Sequence, residues 1–298
     1  MMNTHRSVLL NESIDGLAIK EGEIFLDGTL GGGGHSAEVA KRFRDSVTLI
    51  GLDADAEALK RAEEAVKPFT SHFTFKQANF RNLDSVLDEM GQPKVDKILL
   101  DLGLSSNQLD IAERGFSFQK DQPLLMTFSA DPKEGEVTAR EIVNDWAEET
   151  IADIIFAYGE ERFARRIAKV IVEERVKKPI ETTNDLVELI KKATPFWYHH
   201  RRTHPATKTF QALRIATNDE LQALTEGMKK GFERLNAGGR MAIISFHSLE
   251  DRLVKQFYKE RKTEGLAEVS KKPIVPTDEE MKNNSRSRSA KLRILIKN

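Results

Sequence analysis

Ile24-Phe25-Leu26-Asp27-Gly28-Thr29-Leu30-Gly31-Gly32-Gly33-Gly34-His35 is the stretch of sequence that decides the fold. Its first three residues are an apolar run typical of a buried strand, and residues 36–43 that follow it have a helical pattern. Glycines let the backbone turn sharply against a ligand, and the N-terminus of a helix offers free N–H groups. A strand, a glycine turn and a helix in this order predict a cradle for a nucleotide-like cofactor.

The spacing of the glycines discriminates between cofactors. The dinucleotide fingerprint G-x-G-x-x-G fits only as Gly31-x-Gly33-x-x-Ser36, so its third glycine is missing. No lysine follows the glycines, which argues against a P-loop. An acidic residue at the end of the strand, followed by a glycine cluster, is the usual first motif of Rossmann-like methyltransferases. The pattern therefore favours S-adenosylmethionine (SAM) as the cofactor.

Acidic residues also end two further predicted strands. Asp53 follows the apolar run 48–52, about 20 residues after the first glycines, where a carboxylate can accept both ribose hydroxyls of SAM or of NAD. Asp101 ends the fourth strand, where it can accept a hydrogen bond from a substrate amine or can bind the cofactor. Phe80 follows the third strand, and its ring can pack on adenine or belong to the core. The residues alone leave all three pairs of alternatives open.

Composition narrows the chemistry. The 298 residues include no cysteine, which excludes disulfides, thiolate metal sites and covalent cysteine catalysis. Methylation of pyrimidine carbon 5 usually depends on such a cysteine, so a base methyltransferase of this sequence is expected to act on a nitrogen, or else on a ribose oxygen. The seven histidines show no ligand spacing, so no metal is expected. No apolar run approaches ~18 residues and the first residues are polar, which predicts a cytoplasmic protein without a membrane segment.

The charge is near neutral overall but unevenly distributed. The formal net charge is −1, yet residues 191–218 and 281–298 contain no acidic residue, and the first of these stretches also holds Phe196, Trp197 and Tyr198. Such stretches can form ordinary solvated faces, but basic side chains beside aromatic rings favour RNA binding. The candidate RNA-contacting residues are Arg201, Arg202, Lys208, Arg214, Arg286, Arg288 and Lys291.

The order of the elements predicts the fold class. Strands are expected at 24–27, 47–53, 73–77 and 95–101, alternating with helices at 36–43, 55–66 and 80–90. Residues 139–193 have helical patterns. The α/β pattern then returns with a helix at 221–235, a turn at Gly238–Gly239, a strand at 241–246, a helix at 249–258 and a strand at 292–296. The stretch 270–284 is expected to be a flexible loop. We predict an α/β, Rossmann-like domain formed by residues 1–109 and 213–298. A helical domain, residues 110–212, is inserted in it as the expected site of RNA recognition.

Several long motifs carry a family resemblance along nearly the whole chain. They are His5–Leu10, Asp27–Ser36, Leu100–Gln108, Glu113–Phe118, Tyr158–Ala164, His204–Arg214, Ser245–Arg252 and Arg288–Arg293. With these motifs the chain resembles the MraW family of bacterial 16S ribosomal RNA methyltransferases, which methylate cytosine N4.

The resemblance implies the class I SAM-dependent methyltransferase fold. It also implies a target cytidine in the decoding region of the small ribosomal subunit, near the P site. The SAM contacts that it implies are Gly33, Gly34, His35, Asp53, Phe80, Asp101 and Gln108.

One segment departs from the family's pattern. Where the family usually has P-L-D-M-R-M-D, this chain has Leu125, Thr127 and Ser129 in place of the charged residues. The segment is expected near the active site, but the cofactor motifs are intact, so the expected activity is kept. The departure motivates an alternative function, a non-catalytic RNA-binding factor of ribosome assembly that retains the SAM cradle. An NAD-dependent oxidoreductase is a third hypothesis, disfavoured by the missing glycine.

Overall fold

A computed structural model describes residues 7–104, 113–129 and 135–298. The chain divides into two compact units, which we call the sheet unit (Met1–Gly103 with Leu221–Asn298) and the helical unit (Leu104–Glu220). The domain boundaries that we placed at 109/110 and 212/213, and the role of the inserted domain, stay predictions beside this division.

The sheet unit is built on one seven-stranded sheet. Its strands are β1 (Ile24–Asp27), β2 (Thr48–Asp53), β3 (Phe73–Gln77), β4 (Val95–Asp101), β5 (Leu235–Ser245), β6 (Ala267–Val269) and β7 (Lys291–Lys297). Their order is β3-β2-β1-β4-β5-β7-β6. The first five strands are parallel, whereas β7 is antiparallel to both β5 and β6. The predicted Rossmann-like α/β fold is confirmed, with an antiparallel edge that we did not anticipate.

The described residues include helices in both units. In the sheet unit they are α1 (Leu10–Leu17), α2 (Gly34–Phe43), α3 (Ala56–Val66), α4 (Leu83–Glu89), α12 (Ser248–Thr263) and α13 (Asp278–Asn283). In the helical unit they are α5 (Ala139–Asp145), α6 (Glu148–Gly159), α7 (Ala164–Arg175), α8 (Thr183–Ala193), α9 (Phe196–His199) and α10 (Thr207–Asn218), and α11 (Glu220–Arg234) begins at that unit's last residue. Within the described parts of the chain, none of the helices has the length and apolar character needed to cross a membrane.

The sheet has a hydrophobic core on each face because successive side chains of a strand point to opposite sides. In β1, Leu26 belongs to the cluster that includes Leu83 of α4 and Leu224 of α11. Its neighbour Phe25 belongs to the other cluster, with Val39 of α2. Both strand residues have no exposed surface. Helices therefore cover both faces, and the ends of the strands remain to carry polar groups.

The helical unit has a separate core. The helices predicted within residues 139–193 are confirmed, and Ile151 and Ile155 of α6 and Ile167 and Ile171 of α7 are fully buried in one cluster. A capping box at Thr138 begins α5 and another at Thr182 begins α8, and in each case the third helical residue hydrogen-bonds back to the cap.

Two local predictions are wrong. The turn expected at Gly238–Gly239 lies inside β5, where Gly238 has a φ of +76° and the pairing with β4 shifts register between Val95 and Lys97. The glycines accommodate an irregularity of the strand and do not begin it. The stretch 270–284, expected to be a loop, contains α13, whose cap Thr277 accepts a hydrogen bond from the Glu280 N–H at 3.1 Å.

Candidate functional site

Three aspartates end three neighbouring strands of the sheet. Asp27 is the last residue of β1, Asp53 of β2 and Asp101 of β4, and β1 lies between the other two strands. Because these strands are parallel, their carboxyl ends meet at one edge of the sheet, where ligands of doubly wound folds bind. The structure therefore brings the three predicted strand ends together.

The glycine turn after β1 is held against this edge. The Gly31 N–H donates a hydrogen bond to Asp53 Oδ2 at 2.8 Å, and the Gly33 N–H donates to the Leu30 carbonyl oxygen at 2.8 Å. Gly33 has a φ of +75°, and a Cβ there would lie 2.8 Å from the Ala62 Cα. Gly34 begins α2, and a Cβ on it would collide with the Ser7 side chain. Backbone conformation and the close approach of neighbouring residues thus both require glycine in this turn.

Asp27 is buried beneath the glycine turn and hydrogen-bonds to it. Its side chain is 1% exposed, and its carboxylate accepts hydrogen bonds from the Ser36 hydroxyl at 2.8 Å and the Thr29 N–H at 3.2 Å. Burial raises the pKa of Asp27 to about 6, although His35 and both hydrogen bonds act in the opposite direction. Asp27 therefore links the strand, the turn and the first turn of α2.

Asp53 orients both the turn and the start of α3. Its Oδ1 accepts the Asp55 N–H at 2.8 Å, while Oδ2 accepts the Gly31 N–H. Burial raises the pKa of this carboxyl, and the two main-chain hydrogen bonds oppose that rise. Each carboxylate oxygen has a second lone pair, so Asp53 can still accept hydrogen bonds from the two hydroxyls of a ribose.

Asp101 is tied to the glycine turn by its main chain. Its N–H donates to the Thr29 hydroxyl at 2.6 Å, and its Oδ1 accepts the Gly103 N–H at 3.1 Å. The side chain keeps 21% of its surface exposed. Burial and, to a lesser extent, the negative charge of Glu250 raise the pKa of Asp101 to about 7, against the opposing effect of the Gly103 hydrogen bond. A carboxyl with a pKa in this range can accept or hold a proton at neutral pH.

His35 lies buried beside Asp101. Its Nε2 is 3.2 Å from the Val8 carbonyl oxygen, and its Nδ1 is 3.9 Å from Asp101 Oδ2. Burial lowers the pKa of His35, so the imidazole is neutral at physiological pH. A carbonyl oxygen only accepts hydrogen bonds, so we assign the proton to Nε2. Nδ1 is then an acceptor that faces the Asp101 carboxyl.

Phe80 opens a short 3-10 turn, Phe80–Asn82, directly after β3. A Cβ added to Gly227 of α11 would lie 2.5 Å from Phe80 Cδ2, so the ring packs closely on that helix. A Cβ added to Gly28 would lie 3.2 Å from the Phe80 Cβ, which places this residue beside the first glycine of the turn. The ring is partly buried in the core and its stacking on adenine stays a prediction.

Two residues of this edge were missed from the sequence. Thr29 receives the Asp101 N–H, as described above. Glu250 is 3% exposed, and its Oε2 accepts the N–H groups of Phe246 and His247 at 2.7 and 3.2 Å at the start of α12. Glu250 reaches Asp101 because the preceding strand β5 pairs with β4, with Ile244 opposite Asp101. The capping-box spacing between His247 and Glu250 is the signal that could have identified it.

Gln108 and the candidate RNA-contacting residues remain, and the latter differ in exposure and in their hydrogen-bond partners. Gln108 lies outside the described residues. In the helical unit, Arg201 and Arg202 are exposed, the Lys208 ammonium donates to the Glu160 carbonyl oxygen at 2.6 Å, and Arg214 forms two hydrogen bonds of 2.7 Å with Glu220. In the sheet unit, Arg288 is exposed, Arg286 is partly exposed and Lys291 pairs with Asp251 at 2.9 Å.

The unusual segment 125–129 belongs to the helical unit. Thr127 is 4% exposed, and its hydroxyl donates to the Ser129 carbonyl oxygen at 2.9 Å. The Arg114 guanidinium donates to the Phe128 carbonyl oxygen at 2.6 Å. Hydrogen bonds to main-chain carbonyls hold this segment, and its described side chains carry no charge.

The charge at the edge of the sheet selects between ligands. Asp27, Asp53, Asp101 and Glu250 are four acidic groups, and the neighbouring His35 is neutral. A ligand with a cationic centre gains attraction there, whereas a pyrophosphate meets like charge. A ribose-containing cation fits the acidic edge and the glycine turn better than a dinucleotide does.

The family profile and the relatives of similar sequence identify one family. The profile of the MraW methylase family matches residues 2–298. Two proteins named ribosomal RNA small subunit methyltransferase H are similar over 98% of both chains, at 47% identity in Clostridium botulinum (strain Kyoto / Type A2) and 43% in Brevibacillus brevis. A solved structure of an rRNA methylase from Streptococcus thermophilus, 11% identical, aligns with a TM-score of 0.45 over 99% of each chain.

Proposed function

Because this chain belongs to the MraW methylase family, we propose that it transfers a methyl group to N4 of a cytidine in the decoding region of 16S ribosomal RNA, near the P site. Its fold is the Rossmann-like α/β fold of class I methyltransferases, and its cofactor is SAM. Support for the substrate comes from the relatives named as methyltransferases of small-subunit ribosomal RNA.

Each predicted cofactor residue has a role in this proposal. Gly33 and Gly34 let the cofactor lie against the turn and the N-terminus of α2, whose N–H groups suit a carboxylate. Asp53 accepts the ribose hydroxyls, Phe80 packs against adenine, and His35 offers Nδ1 as an acceptor. Gln108 and Asp101, both implied by the family resemblance, complete the proposed set, and Asp101 has a second, catalytic role as the alternative to cofactor binding alone.

Asp101 is the proposed catalytic residue. The mechanism rests on its raised pKa and on its position at the end of β4. The exocyclic amine of cytosine is a poor nucleophile because its lone pair is delocalised into the ring. A carboxylate that accepts a hydrogen bond from one of its N–H groups increases the electron density on the nitrogen and takes the proton when the new N–C bond has formed. The raised pKa of Asp101 suits this role, and its two hydrogen bonds orient it. SAM supplies a methyl on a positive sulfur, which leaves as a neutral thioether.

In this proposal, most of the rate enhancement comes from aligning the cytosine amine with the methyl group of SAM. The cytosine would have to leave its stack and enter the site, where Asp101 would orient its exocyclic amine for the transfer. The reaction as proposed needs no metal. The basic residues Arg201, Arg202, Lys208, Arg214, Arg286, Arg288 and Lys291 stay candidates for RNA contacts, with the paired Arg214 the least available. We place the activity in the cytoplasm, where small subunits are assembled.

The deciding experiment is a nucleoside map of 16S ribosomal RNA from a strain that lacks this protein. We expect N4-methylated cytidine to fall at one position and to return when purified protein and labelled SAM are added to small subunits. An unchanged nucleoside profile would instead support the non-catalytic assembly factor suggested by segment 125–129.

Two further measurements test the roles of SAM and Asp101. Calorimetry with SAM and with NAD distinguishes the methyltransferase from the oxidoreductase hypothesis, because only SAM is expected to bind. The variant Asp101→Ala is expected to bind SAM and to lose methyl transfer. If that variant keeps full activity, Asp101 has no catalytic role.

A further inference from the structure

Aromatic and arginine side chains form a compact group on the surface of the helical unit. We call it the aromatic–arginine patch and define it by Arg162, Phe163, Phe196, Trp197, Tyr198 and Arg201. The first two residues directly precede α7, the next three lie in α9, and the last lies just beyond that helix. The patch thus joins two segments that are separated by α7 and α8.

The Arg162 guanidinium lies among three rings. Its Cζ is 4.6 Å from the centre of the Trp197 ring, 4.7 Å from that of Phe163 and 5.7 Å from that of Tyr198. The Arg201 Cζ lies 5.5 Å from the centre of the Tyr198 ring. Cations at such distances are attracted to the ring faces, which holds the arginines at the aromatic surface while they stay charged.

A buried hydrogen bond holds the patch in place. The Tyr198 hydroxyl donates to Glu161 Oε2 at 2.5 Å, and Glu161 Oε1 accepts the Phe163 N–H at 2.9 Å. Glu161 has no exposed surface. Burial and the neighbouring carboxylate raise the pKa of Tyr198 to about 12, so the phenol remains a donor at all physiological pH values. The carboxylate therefore connects α9 to the start of α7.

The outer rings of the patch are unusually exposed for aromatic side chains. Phe196 is 76% exposed and Trp197 is 53% exposed. Adjacent apolar rings that are exposed and bordered by charged side chains are typical of an interaction surface.

The charge around these rings is positive. The only acidic residue of the adjoining segments 161–172 and 191–218 is Glu161, which is buried against Tyr198. Exposed arginines 162, 165 and 166 lie on one of the two segments and arginines 201 and 202 on the other. A partner of this surface should therefore combine flat apolar groups with negative charge.

We propose that the aromatic–arginine patch binds an unpaired stretch of RNA, with bases stacked on Trp197 and Phe196 and phosphates beside Arg162 and Arg201. This inference rests on the proposed function and adds a second RNA contact, remote in sequence from Asp101. Unpaired RNA has both of the required features, since its bases present apolar faces and its backbone is anionic. A second copy of the chain is a poorer partner, because a two-fold interface would bring two arginine clusters together.

The fluorescence of Trp197 can report RNA binding at the patch directly. The chain has two tryptophans, and Trp146→Phe leaves Trp197 as the single emitting indole. We expect its fluorescence to be quenched by an unpaired oligocytidine of about 12 nucleotides, within the usual range of single-strand site sizes, and much less by a duplex of equal length. Equal quenching by both RNAs would overturn the proposal, because paired bases cannot stack on the indole.

Trp197→Ala should weaken binding of the labelled oligonucleotide about 5- to 100-fold, the loss expected for one stacked base. The control is Phe156→Ala, which removes a 66% exposed aromatic ring from α6 of the same unit, outside the patch. Thermal unfolding shows whether each variant is folded, and Trp197→Phe, which retains a stacking ring, should recover part of the affinity if Trp197→Ala proves unstable.

Substitutions of Arg162 distinguish the contribution of stacking from that of charge. Arg162→Lys keeps the positive charge but loses the planar group, and Arg162→Gln loses the charge as well. We expect both to bind RNA more weakly, and only Arg162→Gln to reduce the slope of log affinity against log salt, by about 0.7 for one lost phosphate contact. Identical affinities for both variants and the native protein would contradict the assignment of Arg162.

The two proposals can fail independently. If Trp197→Ala binds RNA as tightly as the native protein, the patch is not an RNA site, even when small subunits are methylated. If the native protein transfers no methyl group but Trp197 is quenched and Trp197→Ala binds weakly, the RNA site stands and the enzymatic proposal fails. If Trp197→Ala instead converts a dimer into a monomer in sedimentation without changing RNA affinity, the patch is a contact between copies and our inference is wrong.

Discussion

The main-chain N–H of Asp101 donates a hydrogen bond to the hydroxyl of Thr29 at 2.6 Å. Thr29 lies in the glycine turn after β1, and Asp101 ends the neighbouring strand β4. The turn that is proposed to hold the cofactor therefore also sets the position of the proposed catalytic carboxylate. In the proposed reaction, this hydrogen bond would help to align the substrate amine with the cofactor, although it contacts neither of them.

Thr29→Val tests this link, because valine has the shape of threonine but cannot accept the Asp101 N–H. We expect kcat for methyl transfer to fall about 5- to 10-fold, the equivalent of one neutral hydrogen bond, while the dissociation constant of SAM changes less. The control is Thr48→Val at the opposite, exposed end of β2. Unchanged kcat in Thr29→Val would show that this hydrogen bond does not position Asp101.

Asp101→Asn should change how stability depends on pH. The pKa of Asp101 is about 7 in the folded protein and 3.8 as the ordinary value, so the folded state keeps a proton that the unfolded state has lost between these pH values. The free energy of unfolding of the native protein therefore falls as pH rises from about 4 to about 7. Asparagine does not titrate, so Asp101→Asn should be the more stable protein at pH 8, by on the order of a few kcal/mol, and close to the native protein at pH 4.

Urea unfolding across this pH range measures the difference. Asp27, whose pKa is about 6, acts in the same direction and remains in the variant, so the slope should be reduced and not abolished. Asp88→Asn, which removes a 58% exposed carboxylate that pairs with Arg234, serves as the control for an Asp-to-Asn substitution outside the site. Parallel curves for Asp101→Asn and the native protein would mean that Asp101 titrates normally.

Gly33→Ala should destabilise the protein more than Gly22→Ala does. Both glycines have positive φ, +75° and +80°, so each substitution carries the strain of a left-handed backbone, about 1 kcal/mol. A Cβ on Gly33 would also lie 2.8 Å from the Ala62 Cα, whereas nothing lies within 4 Å of one on Gly22. We expect an additional loss of about 1 to 3 kcal/mol for Gly33→Ala in urea unfolding. Equal losses would show that the contact with α3 relaxes at no cost.

SAM should bind more tightly as pH rises through the pKa values of the acidic edge. A cationic ligand favours the ionised carboxylates of Asp101 and Asp27, whose pKa values are about 7 and about 6, so its binding should release protons below about pH 7. Calorimetry in two buffers of different ionisation enthalpy measures that release. The demethylated product S-adenosylhomocysteine is the matched control, because its sulfur is neutral and its affinity should vary less with pH. The same proton release for both ligands would contradict an effect of the sulfonium charge.

Sequence patterns predicted the parts of the fold that depend on local regularity. The strand ends at Asp27, Asp53 and Asp101 were predicted because apolar runs stop there, and buried parallel strands consist of such runs. The short helix α1 was not predicted, because it begins after Leu9 in a left-handed conformation without a side-chain cap. The three residues of β6 are too few to show any alternation.

The site was less predictable than the fold because its contacts join distant segments. The sequence around Thr29 indicates only a turn, because its contact with Asp101 depends on the pairing of β4 with β1. Glu250 looks like a helix cap until β5 pairs with β4 and brings it close enough to raise the pKa of Asp101. The assembly of the aromatic–arginine patch likewise depends on Glu161 and Tyr198, which are 37 residues apart.

The pairing of β4 with β5 also has a consequence for synthesis of the chain. Val95 pairs with Leu235, and all of the helical unit lies between them in sequence. At ordinary rates of translation, on the order of ten seconds pass between the emergence of the two strands from the ribosome. Until then β4 presents an unpaired apolar edge, on which the nascent chain is open to misfolding and to chaperones. The helical unit, with its own core, can fold during this interval and shorten the loop that β5 must close.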